Sequence, residues 1–63
     1  MMATTTTVAA DAVRCGDRLD DGTSVYETAP SALTPGHVAI ASASNGSSRC
    51  MVVPAEQPVE VTR

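Results

Sequence analysis

Apolar and polar positions alternate most regularly on either side of the dipeptide Asn45-Gly46. Residues 37–44 precede this dipeptide and residues 47–53 follow it, and both runs approach the two-residue period of a β-strand. Asn-Gly between two such runs is typical of a β-hairpin closed by a tight type I′ turn. The pattern therefore predicts two antiparallel strands joined by a two-residue loop.

A two-residue loop also fixes which residues of the hairpin face each other, because neighbouring side chains point to opposite faces of a strand. The predicted register pairs Ser44 with Ser47, Ser42 with Arg49, Ile40 with Met51 and Val38 with Val53. The larger residues then share one face, which we expect to be the core: Val38, Ile40, Met51 and Val53. The smaller residues share the other face, which is free for a partner or the N-terminal segment: Ala39, Ala41, Cys50 and Val52.

The first half of the chain predicts a second hairpin. Residues 11–19 read as the first strand, with a bulge or bend at Gly16. The sequence Asp20-Asp21-Gly22 predicts a three-residue turn in which Gly22 is left-handed. A second strand over residues 23–28 follows this turn, and its light apolar content favours an edge or exposed position.

The connections are predicted from their prolines. Residues 29–36 contain Pro30 and Pro35 and read as a loop, with Leu33 either tucked inward or exposed. Residues 54–58 also begin and end with proline and predict one 3₁₀ turn. Residues 59–63 alternate as a last strand.

The N-terminal residues 1–10 are rich in threonine and alanine, and their apolar residues follow neither a helical period nor the alternation of a strand. We expect a flexible arm over 1–10, which could instead dock as an added edge strand, and one domain over 11–63. Most of the few large aliphatic residues stand at alternate positions of the predicted strands, so their side chains can share one face. The predicted core is Val13, Leu19, Val25, Val38, Ile40, Met51, Val53, Val59 and Val61.

The order of these elements resembles a five-stranded SH3-like small β-barrel with a 3₁₀ turn before the last strand. Residues 13–22 (VRCGDRLDDG) and 51–61 (MVVPAEQPVEV) carry the resemblance. Both stretches are similar to a pattern in small uncharacterised proteins of actinobacteria and their phages. The resemblance implies an all-β fold and a phage or actinobacterial origin. The peptide-binding function of SH3 domains is not implied, because it needs an aromatic cluster and Tyr26 is the one aromatic residue.

Composition limits both stability and partners. Val, Leu, Ile and Phe make up 11 of the 63 residues, so the core is thin and association with a partner is favoured. Seven acidic residues against four arginines give a net charge of −3. That balance disfavours nucleic-acid binding, which needs basic residues and aromatic platforms.

Candidate chemistry is sparse. Cys15 and Cys50 are 35 residues apart and are predicted to be free and buried, with a disulfide between them as the alternative. His37 reads as an ordinary histidine at a strand edge, and Asp20-Asp21 reads as turn chemistry. The sequence therefore predicts no catalytic residues, no metal site and no cofactor.

The predicted function is that of a non-enzymatic, phage-type accessory protein that binds a host or phage protein. The candidate interaction surface is Tyr26, Ala39, Ala41, Cys50 and Val52. The alternatives are a structural virion component, such as a capsid decoration or cement protein, and a nucleic-acid-binding small barrel. A homo-oligomer is left open. The N-terminal segment lacks the features of a secretory signal and no stretch is apolar enough to span a membrane, so we expect a cytoplasmic or virion location.

Overall fold

The computed structural model describes residues 4–63, which form one antiparallel sheet. Its six strands are β1 (Thr5–Ala9), β2 (Arg18–Leu19), β3 (Ser24–Pro30), β4 (His37–Ser44), β5 (Ser47–Pro54) and β6 (Pro58–Thr62). A 3₁₀ helix, η1 (Ala10–Ala12), joins β1 to the turn before β2. The strand order is β1-β6-β2-β3-β4-β5.

The all-β prediction is confirmed, but the sheet is not closed, and neither the barrel nor the count of five strands is confirmed. The sheet has six strands rather than five, and β1 and β5 are its two edges within residues 4–63. The sheet curls around a single core, with Ile40 and Val61 at most 1% exposed. The other buried apolar residues are Ala10, Val13, Leu19, Val25 and Val38. Val8, Met51, Val53, Ala55 and Val59 are partly buried against them.

The β4–β5 hairpin has the predicted register. Ser44 pairs with Ser47, and the pairing runs without a bulge to His37 and Pro54. The predicted turn type is wrong, since a type I′ turn needs a positive φ at both loop residues. Gly46 has φ +78°, whereas no non-glycine residue within 4–63 has a positive φ. These signs are those of a type II turn.

The N-terminal part departs most from the sequence prediction. Thr5–Ala9, expected within a flexible arm, forms β1 and pairs along its whole length with β6, as the added-strand alternative proposed. Residues 11–19, expected to be one strand, contribute only Arg18–Leu19 to the sheet. One glycine and a polar inward position weaken any strand there: Gly16 has φ +95°, and the buried Asp17 needs polar partners rather than a sheet face.

Two smaller predictions are also corrected. The 3₁₀ helix precedes β2 instead of the last strand, and the link from β5 to β6 is a turn in which Gln57 N–H donates to the Pro54 carbonyl at 3.0 Å. The side chain of Leu33 is 95% exposed and does not pin the loop. Pro30 is the last residue of β3, so that strand extends two residues beyond its predicted end at residue 28.

Candidate functional site

Four of the five predicted interaction residues lie together on the sheet. Ala39 pairs with Val52 and Ala41 pairs with Cys50, so all four side chains point to the face opposite the core. Ala29 and Glu27 of β3 continue these two rows, and Ala43 pairs with Ser48 in the next row. We call this surface the outer face; its small apolar members are Ala29, Ala39, Ala41, Ala43, Cys50 and Val52.

The side chains of the outer face are short, and those of β5 are accessible. Val52 is 49% exposed and Cys50 is exposed, while the alanines of β4 are partly buried between their neighbours. The opposite side of the same strand is different, since Val38, Ile40 and Ser42 are buried. Exposed apolar positions that are contiguous rather than scattered are typical of an interaction surface.

Tyr26 lies at the margin of this surface, at a β-bulge in β3. The register shifts between Val25, which pairs with Ser42, and Glu27, which pairs with Ala41, so Tyr26 is the extra residue. Its side chain is 57% exposed. The Cys15 thiol donates to the Tyr26 carbonyl at 3.3 Å, so the loop before β2 contacts the backbone of the bulge. The structure thus brings the predicted residues to one region, but Tyr26 is not in the alternating rows.

Strand β5 forms the open border of the outer face. It pairs only with β4, so the backbone N–H and C=O groups along its other side have no strand partner within residues 4–63. It is eight residues long, and Arg49 is its one charged side chain. Proteins normally protect such an edge with charges, prolines or bulges. Here the only proline, Pro54, stands at the end of the strand.

A polar network ties the β2–β3 turn to the hairpin. Asp21 Oδ1 accepts from the Thr23 N–H at 3.0 Å and from the Thr23 hydroxyl at 2.6 Å, and that hydroxyl lies 2.9 Å from the buried Ser42 hydroxyl. Asp21 also forms an ion pair with Arg49. The bonds from Thr23, followed by Arg49, hold the pKa of Asp21 below its ordinary value. The Asp20-Asp21-Gly22 turn therefore fits the prediction, since Gly22 has φ +90°.

A second ion pair, which the sequence did not predict, joins the loop before β2 to the C-terminal residue Arg63. Asp17 is 5% exposed, and its oxygens accept from Arg63 Nε at 3.1 Å and Nη2 at 3.2 Å. The Arg14 N–H donates to Asp17 Oδ2 at 3.0 Å. Burial raises the pKa of Asp17, but the Arg14 N–H and Arg63 together outweigh it and lower the pKa overall. The sequence signal was the acid at an inward position of the predicted first strand.

A shallow groove of about 190 Å³ lies on the concave side of the sheet, between the β2–β3 turn, β5 and the start of β6. Leu19, Met51 and Val59 supply apolar walls. Asp20, Asp21, Glu60 and Arg49 also line it, so its ionisable residues sum to −2 at neutral pH. Sequence reasoning missed this groove because its walls come from three separate parts of the chain.

The two cysteines and the histidine take part in no grouped site within residues 4–63. Cys15 and Cys50 are both free and both exposed, so the prediction of buried cysteines is wrong and the disulfide alternative is not formed. Nδ1 of His37 lies 3.1 Å from the Pro35 carbonyl oxygen, beside the turn that precedes β4. Within residues 4–63 no three His, Cys, Asp or Glu residues are grouped so that they could hold a metal ion. No helix in that part of the chain is both long and apolar enough to cross a bilayer.

Comparison with known proteins adds no relative to this picture. No protein-family model, no curated protein and no solved structure matches the chain.

Proposed function

We propose that this protein is a non-enzymatic interaction protein that binds another protein through the outer face of β3, β4 and β5. The observation that carries the proposal is the exposed row of Val52, Cys50 and their alanine neighbours beside an unpaired strand edge. A sheet edge that exposes both apolar side chains and free backbone groups is a ready site for another chain. The thin core of the domain supports the same reading, because a bound partner adds to its stability.

The proposal includes an origin and a finer description of the fold. The resemblance of residues 13–22 and 51–61 to small actinobacterial and phage proteins supports a phage-type accessory role, with a host or phage protein as the partner and the host cytoplasm as the location. The curled sheet supports description as an open relative of the SH3-like barrel, with β1 added outside β6. Two of the four arginines, Arg49 and Arg63, are engaged by aspartates, which supports a protein partner over a nucleic acid.

Site-specific photocrosslinking tests the proposed surface. A photoreactive amino acid placed at Val52 or Ala39 should yield the same discrete adduct in lysate of the candidate actinobacterial host, and mass spectrometry identifies the partner. The matched control places the same group at Thr5, an exposed position of β1 that pairs with Thr62 and borders neither the outer face nor a groove-lining residue. Adducts that form equally from Thr5, or no adduct from either outer-face position, would contradict the proposal.

A structural virion component is the second candidate, and the pairing of β1 supports it. Thr5–Ala9 already adds to β6 as an edge strand, and η1 is its link to the rest of the domain. The same pairing made with a neighbouring copy would join subunits by strand exchange. Mass spectrometry of purified particles separates the two candidates, because a cement protein is present in many copies per particle and an accessory protein is absent.

A further inference from the structure

We propose that the unpaired edge of β5 accepts an extended segment of the partner protein in which apolar residues alternate with basic ones. This inference rests on the proposed protein-binding function and names the chemistry of the partner. Two separate features of the molecule support it: the free backbone of β5 and the acidic groove beside that strand.

The backbone of β5 determines the conformation of the bound segment. The unpaired side of Ser47–Pro54 offers alternating N–H and C=O groups, and an added strand satisfies them in the same way as β4 does on the other side. The added segment must therefore be extended. Its alternate side chains must point to the outer face and to the concave face of the sheet.

The two faces then require different side chains. A residue of the segment beside Cys50 or Val52 continues the small apolar outer face, so an apolar side chain fits there. A residue beside Arg49 or Met51 points to the concave face, where the groove begins. This second position is the one that selects the charge of the segment.

The groove favours a basic side chain at that position. Arg49 is already paired with Asp21, which leaves Asp20 as the uncompensated acid at the groove. Glu60 alternates with Val59 and Val61, which face the core, so its side chain points to the opposite face of β6 and adds a more distant negative charge. Leu19, Met51 and Val59 offer an apolar wall for the methylene stem of a lysine or arginine. Both carboxylates act over a distance comparable to the Debye length of about 8 Å, so they attract a cation even where they do not contact it.

The test uses the purified protein and a blocked synthetic peptide of about seven residues, a strand-length segment in which valine alternates with lysine. Titration followed by amide NMR should shift the signals of β5, Leu19 and Val59, and the affinity should fall as salt is raised. Asp20→Asn should weaken binding about threefold, and Glu60→Gln should weaken it less because its carboxylate points to the other face of β6. Asp11→Asn removes the same charge from an exposed position in η1 that does not line the groove, and should leave the affinity unchanged.

Two altered peptides and one protein variant complete the test. Glutamate in place of lysine, or methylation of alternate peptide nitrogens, should abolish binding. The proposal is overturned if the lysine and glutamate peptides bind equally, if neither binds at millimolar concentration, or if methylation has no effect. It is also overturned if the β5 signals depend on protein concentration without peptide and Val52→Lys removes that dependence, because a second copy then occupies the edge. Any of these results together with a specific crosslink from Val52 would leave the broader protein-binding function standing.

Discussion

The β4–β5 hairpin and the segment from Thr5 to Leu19 are held in the sheet by different kinds of contact. In the hairpin, each residue pairs with a partner close in sequence across the turn at Asn45-Gly46. In the N-terminal segment, β1 pairs with β6 some 50 residues away, and Asp17 pairs with Arg63. We therefore expect the hairpin to form early in folding from local sequence, and the N-terminal segment to become ordered once the C-terminal strand is in place.

The different contacts of the two regions explain why the candidate surface lies on the hairpin side. A locally determined hairpin can leave its outer edge unpaired and still keep its register. The N-terminal side instead gains its order from β6 and from the ion pair with Arg63. We expect the two regions to respond differently to substitution.

The largest effect is expected in the core beneath the hairpin. Ile40→Ala empties a fully buried position and should lower the free energy of unfolding by about 3 kcal/mol, enough to unfold much of such a small domain. Val52→Ala on the outer face of the same hairpin should cost less than about 0.5 kcal/mol. Urea denaturation followed by circular dichroism measures both. Equal losses for the two variants would mean that the two faces of the hairpin are wrongly assigned.

The next largest effect is expected from replacing one turn glycine in each region. Gly46 in the hairpin turn and Gly16 before β2 have φ +78° and +95°, and a Cβ at either position would meet no atom within 4 Å. Alanine at each should therefore cost about 1 kcal/mol from backbone conformation alone. The folding rate separates the regions: Gly46→Ala should slow folding, while Gly16→Ala should mainly speed unfolding. The reverse pattern in stopped-flow refolding would contradict early formation of the hairpin.

A smaller, pH-dependent effect is expected in the N-terminal region. Because the pKa of Asp17 is lowered in the folded state, the unfolded state binds more protons, so stability should decrease as the pH falls below about 4. Asp17→Asn should cost about 1 kcal/mol at pH 6, a value kept low by the partial exposure of Arg63. It should also flatten the decrease in the urea midpoint between pH 5 and pH 3. Arg63→Gln should flatten it in the same direction, and an unchanged pH profile in both variants would show that this ion pair does not contribute.

The smallest effect is expected at the other ion pair. Asp21 and Arg49 are solvent-accessible, and Asp21 keeps its two bonds from Thr23 when the arginine is removed. Arg49→Gln should therefore leave the urea midpoint within experimental error. A loss as large as that predicted for Asp17→Asn would contradict the different energetic roles assigned to the two ion pairs.

Local patterns were sufficient to predict particular elements. Alternation on both sides of Asn45-Gly46 gave the register of β4 and β5, and all nine predicted core residues are buried or partly buried. The Asp20-Asp21-Gly22 turn was predicted because glycine tolerates the positive φ that the turn needs. The small-residue face of the hairpin followed from the register, because successive side chains of a strand point to opposite faces and the large residues occupied one of them.

Other features depend on contacts that no local pattern encodes. The sequence did not choose between a loose arm and an added strand for Thr5–Ala9, because threonine and alanine become ordered there only by pairing with β6. The exposure of Cys15, Cys50 and Leu33 also differs from expectation, since a small curled sheet does not cover every apolar position. The groove could not be predicted, because its lining residues are distant in sequence.

Strand period and glycine conformation act over a few residues, so the amino-acid sequence was enough to predict the β-class, the positions of the turns at Gly22 and Gly46 and the two faces of the hairpin. Only the tertiary structure decided that β1 joins β6, that Asp17 meets Arg63 and that β5 keeps an open edge. These features depend on how far the sheet curls and where it stops. That outcome is set by the packing of the whole chain around one small core.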